Sequence, residues 1–251
     1  MGVDRHRQPA RAALALTGTY PGPGAAGSLA SVTVWDELKP VLVRLRDQQP
    51  GTLIQYPMPD VDEGRQPPFT IKLAPWAAAT AGELHRQFGD SVDLTVGALS
   101  YPPGRQPRRP PARGLPPDLL DPQEIAAELD GAAVVSSGQT LRHGLLLRNL
   151  TDRELQIATN GQVTADVVDP HTGEVVGGFS GAQHLPLVIF RVAPGDTGRI
   201  PLLIGTASFT SRLGYTVPPG HWGIRATFTL GPNPGDSPRR RTPVLPLTIT
   251  A

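Results

Sequence analysis

Apolar positions spaced three and four apart organise the early part of the chain, and short apolar runs cut by turn residues organise the later part. From Ser31, SVTVWDELKPVLVRLRDQQPG predicts a helix with Val34, Leu38, Val41, Leu42 and Leu45 on one face. Ser31 or Asp36 is the expected cap. Pro40, which lacks a backbone N–H, is expected to start the regular helix near Glu37 or to bend it, and Pro50-Gly51 to end it. TLIQYP (52–57) and PFTIKLAPW (68–76) are predicted strands, separated by the acidic, proline-rich loop MPDVDEGRQPP. WAAATAGELHRQFGD predicts a second helix with Pro75 in its first position, Trp76, Thr80, Leu84 and Phe88 along one stripe, and Gly89 at a left-handed end. VDLTVGALSYP (92–102) predicts a third strand. This order implies a small mixed sheet covered by two helices.

Between residues 102 and 124 the periodicity stops. Prolines at 102, 103, 107, 110, 111, 116, 117 and 122 favour an extended backbone that cannot pair in a sheet interior. DPQEIAAELD (121–130) predicts one short helix. Beyond Ala132, runs at 144–149, 154–159, 163–169, 174–179, 185–192, 197–205, 223–230 and 244–250 alternate with NLTD, TNGQ, DPHTG, APGD and PPG. Eight such runs are the signature of a β-sandwich. In DPHTGE, Asp169 bonds the following backbone, Pro170 presets φ and Gly173 takes the left-handed position. The expected layout is a flexible leader (1–30), an α+β N-terminal domain (31–101), a Pro/Arg-rich linker (102–131) and an all-β immunoglobulin-like sandwich (132–251).

LLLRNLTDRELQIATNGQVTADVVDPHTGEVV, followed by FRVAPGDTGRIPLLI and VPPGHWGIRATFTL, resembles the immunoglobulin-like sandwich of intracellular proteinase-inhibitor (BsuPI-like) domains over about half of the chain. The whole layout resembles two-domain proteins of high-GC bacteria. The resemblance implies a fold rather than an activity.

Composition removes several functions. With no cysteine there are no disulfides, thiolate metal sites or cysteine nucleophiles. The 23 cations, all arginine except Lys39 and Lys72, meet 22 acids, and a net charge of +1 makes no field for nucleic acid or anionic lipid. The start, MGVDRHRQPARAALALTGTY, is a poor secretory signal because Thr17 and Gly18 break its apolar stretch. No run of about 18 apolar residues predicts a membrane span, and a cytoplasmic location is expected.

Several patterns suggest chemistry. Gly22, Gly24 and Gly27 satisfy G-x-G-x-x-G, but Pro23 removes a donor, the preceding strand is weak, and Asp47 falls on a helix, so no cofactor is expected. Asp60, Asp62 and Glu63 form an acidic loop without the ligand spacing of a calcium site. His6, His85, His143, His171, His184 and His221 have no zinc spacing, so no metal is expected. No nucleophile motif is present, and no catalytic residue is assigned. Trp222 is either a partner anchor or, in the simpler reading, a core aromatic; Trp35 and Trp76 are expected where helices meet the N-terminal sheet. Arg108, Arg109 and Arg113, with Arg239, Arg240 and Arg241, would make two exposed cationic loops for an acidic partner, or a charged hairpin tip at 239–241. Pro107-Arg108-Arg109-Pro110 also fits a polyproline docking pattern, against the plainer role of tether. The expected function is a non-enzymatic interaction or assembly module for an unidentified protein partner, with oligomeric state open. The alternatives are an enzyme with an interdomain pocket using His85, Asp60 and Glu63, or an inhibitor-like binder of a protease.

Overall fold

The computed structural model describes residues 25–57, 66–103, 118–181, 186–233 and 237–251. The first unit contains helix α1 (Ala25–Gln48), strands β1 (Leu53–Gln55) and β2 (Phe69–Leu73), helix α2 (Ala78–Phe88), and strands β3 (Val92–Val96) and β4 (Leu99–Tyr101). The strands lie in the order β1-β2-β3-β4. The central pair is parallel and the outer pairs are antiparallel. The register sets Phe69, Ile71 and Leu73 beside Val92, Leu94 and Val96, so one face carries all six apolar side chains. α1 covers them with Trp35, Leu38 and Leu42, and α2 with Ala81, Leu84 and Phe88. The Trp35 and Phe69 rings sit 5.2 Å apart.

Four expectations for this unit need correction. α1 begins by Ala25, inside the proposed leader, and carries Pro40 in its interior, so neither Ser31 nor Asp36 caps it. α2 begins at Ala78 rather than at Pro75. The run 92–102 is two strands joined by a turn at Gly97, whose φ of 61° is open to glycine at little cost. Trp76 lies outside the helix and is 47% exposed, whereas Trp35 is buried between helix and sheet as expected.

The rest of the described chain is β-sandwich. Its strands are β5 (Asp118–Leu119), β6 (Ile125–Leu129), β7 (Val134–Ser136), β8 (Thr140–Asn149), β9 (Leu155–Thr159), β10 (Val163–Val168) and β11 (Val175–Gly178). They continue with β12 (Val188–Val192), β13 (Thr197–Gly205), β14 (Ala207–Ser208), β15 (Gly220–Leu230), β16 (Arg239–Arg241) and β17 (Leu245–Thr250). All eight predicted runs are strands. The helix expected at 121–130 is instead β6, paired antiparallel with β8, and β5 pairs parallel with β16. Residues assigned to the linker are therefore sandwich from Asp118 onward.

One layer runs β6-β8-β13-β10-β15 and on through β17 to β7; the other runs β12-β9-β15-β16-β5. β15 belongs to both. Its Gly220–Ile224 stretch pairs with β17 and its 223–226 stretch with β10; from Thr227 it pairs with β16, then β9. A strand that changes sheets leaves backbone groups to satisfy at the crossing. Thr242, fully buried, does this: its Oγ1 accepts from the Ala226 N–H at 3.1 Å and its own N–H donates to the Ala226 carbonyl at 2.9 Å. The interior between the layers is filled by alternating side chains such as Leu145, Leu147, Ile157, Ile200, Leu202 and Phe228.

Candidate functional site

The sandwich and the first unit touch through small residues and aromatics. Tyr215, in the connection before β15, packs against the apolar cluster of the first unit and stacks on Tyr101 with ring centroids 6.1 Å apart. His85 of α2 meets the edge of Tyr101 at 6.0 Å. The Tyr215 hydroxyl is closed off from solvent and has no hydrogen-bond partner among the described residues. Burial, and then the neighbouring Tyr101, push its ionisation above the usual 10.0. Beside this stack, Gly138 has φ +81°, and a methyl group there would lie 3.1 Å from Thr216 Cγ2 and 3.5 Å from Trp76 Cβ. The left-handed backbone and the closeness of Thr216 favour glycine here, where the chain lies in van der Waals contact with Trp76 of the first unit.

Next to the contact opens a cleft of about 190 Å³. Gly51, Ile54 and Ala74-Pro75-Trp76 form its wall on the first unit. The sandwich contributes Gly138, Thr140 and two short stretches, 178–181 and 205–207, at the ends of β11 and β13. The volume is below the roughly 300–1,000 Å³ of ordinary small-molecule sites, so it suits one or two inserted side chains rather than an engulfed ligand. Its described walls carry glycine, apolar and hydroxyl side chains and one exposed tryptophan. Such a lining offers apolar contact and hydrogen bonds.

The residues singled out by sequence are scattered. Arg108, Arg109, Arg113, Asp60, Asp62, Glu63, His6, His184, Gly22 and Gly24 lie outside the described residues; Gly27 lies within α1. His85 packs on Tyr101 and does not line the cleft. Arg239–Arg241 form neither a loop nor a hairpin tip: they are β16, between β15 and β5. Arg240 Nη1 donates to Asp118 Oδ2 at 3.0 Å, and Arg241 Nε is buried without a partner among the described residues, so this run is not a set of three exposed cations. Trp222 is half-buried on the sandwich core, and its Nε1–H donates to the Pro218 carbonyl at 3.0 Å, the core placement of the simpler reading. His143 Nδ1 accepts from the Gly144 N–H at 2.9 Å, while His221 lies 3.4 Å from Thr248 Oγ1. Among the described residues no three acidic or histidine side chains converge as a metal site would require, and no helix is long and apolar enough to cross a membrane. The exposure of Trp76 was missed because the four-residue stripe assigned it to a helix that starts two positions later.

These features define a β-sandwich with a small α/β unit docked against it. No protein-family model and no curated protein matches the chain. Among solved structures, it is similar to Escherichia coli alpha-2-macroglobulin from domain MG7 to the C-terminus, at 19% identity and TM-score 0.28, over 51% of this chain and 17% of that one. It is similar to the Listeria innocua beta-glucosidase at 10% identity and TM-score 0.29, over 51% and 16% of the two chains. It is also similar to the ASH / PapD-like domain of human CEP192 at 11% identity and TM-score 0.24, over 58% and 97%. This chain thus spans less than a fifth of the first two proteins.

Proposed function

We propose that this chain is a non-enzymatic binding or assembly module that receives one or two side chains of a protein partner in the cleft between its units. The observation that carries this reading is Trp76. A tryptophan 47% exposed, standing on a wall of glycine and small residues, supplies a large rigid contact surface at low entropic cost. Gly51, on the same wall, is exposed and leaves its backbone within reach of a partner. The arginine run at 239–241 contributes less, because Arg240 is engaged with Asp118. Immobilised full-length chain and its Trp76→Ala variant, exposed to native lysate over a range of salt, test the proposal. Wild type is expected to retain a specific protein that the variant loses about tenfold or more, as removal of a central aromatic anchor does. Equal retention by both chains, or recovery of the bait alone at every salt, removes the cleft from consideration.

A further inference from the structure

An unpaired sheet edge is a row of free backbone donors and acceptors, and proteins ordinarily blunt it with proline, lysine, a bulge or a covering segment. β12 pairs with β9 through five consecutive residue pairs without a register break, and among the described residues no strand lies on its other side. Val188–Val192 contains no proline, lysine or bulge. Its one charge, Arg191, is turned onto its own sheet, Nη1 donating to Glu154 Oε1 at 2.8 Å. Leu187 and Ile189 face solvent, while Phe190 and Val192 reach the sandwich core. The edge therefore offers backbone together with apolar side chains on both faces.

We infer that β12 pairs antiparallel with β12 of a second copy of this chain, about a two-fold axis through Phe190. Self-complementarity is what selects a second copy. In this register Phe190 meets its own equivalent, Val188 faces Val192 of the other copy on the core side, and Ile189 faces Arg191 of the other copy on the outer side. No like charges stand opposite each other, and each Arg191 keeps its own Glu154. A parallel in-register mate would set Arg191 beside Arg191, and a one-residue slip would turn the core face outward. The inner apolar row then runs on from one sandwich into the next. This surface is independent of the cleft and of Trp76.

Sedimentation of the full chain from about 5 to 200 µM reads the proposal, since two five-residue strands make a small interface. Wild type is expected to approach twice the monomer mass, and Ile189→Lys, an exposed change that faces a lysine toward Arg191 of the other copy, to stay monomeric. Because the chain has no cysteine, register can be read directly: Ile189→Cys mixed with Arg191→Cys is expected to cross-link on oxidation about tenfold more than either alone. That pair carries the test even where Ile189→Lys does not fold. A wild type that remains monomeric throughout, a dimer untouched by Ile189→Lys, or equal cross-linking in the mixed and single samples would each overturn it.

Discussion

Asn149, at the end of β8, is fully buried and satisfies its whole amide. Its Nδ2 donates to the carbonyls of Arg153 at 2.7 Å and Val192 at 3.0 Å, and its Oδ1 accepts from the Thr151 N–H at 3.0 Å and Thr151 Oγ1 at 2.7 Å. Its backbone bonds Asp196 and Gly195, so one residue joins the NLTD turn, the end of β12 and the APGD turn. Burying a polar group is tolerable only when its partners are in place, and removing it leaves those partners unpaired. Asn149→Ala is expected to lower stability by about 2–3 kcal/mol, checked by urea denaturation with the slope unchanged. The turn residue was legible in the sequence, but not the amide's reach to Val192, 43 positions away. Asp169 was readable in full: its carboxylate accepts from the His171 and Thr172 N–H groups, as DPHTGE predicts, and those bonds hold its pKa below the usual 3.8.

At the scale of elements, β15 joins the two layers, and its crossing depends on Thr242. Thr242→Val keeps the shape but leaves the Ala226 N–H without its hydroxyl acceptor. The expected cost is about 1–3 kcal/mol by denaturant unfolding, with Thr242→Ser recovering most of it. The eight apolar runs were legible because a half-buried strand writes a period of two into its residues and turn chemistry marks its ends. β6 was not, because EIAAEL is made of good helix formers; pairing with β8 along five residues overrides that local preference. β16 was hidden by its three arginines, since a strand between two partners needs backbone pairing more than apolar side chains. Residues 25–30 escaped for the opposite reason: small residues there carry no apolar period, yet the helix extends through them.

At the scale of the molecule, Tyr215 is the inserted aromatic that ties the sandwich to the first unit. Because burial raises its ionisation above 10.0, the neutral form is favoured in the folded protein. Its contribution is whole below pH 10 and is lost as pH rises from there through the folded value. Urea midpoints at pH 9 and pH 11 are expected to differ less in Tyr215→Phe than in wild type. At neutral pH the same variant is expected to lie within about 1 kcal/mol of wild type, since it removes a hydroxyl that has no partner. The sequence by itself determined the helical faces, the eight strand runs, their turns and the absence of cysteine chemistry, because spacing and turn residues act over a few positions. Only the tertiary structure decided which strands share β15, that Trp76 stands exposed at a cleft, that Arg240 answers Asp118, and that Tyr215 meets Tyr101. Those outcomes depend on surfaces far apart in the chain, and no local period records which of them will meet.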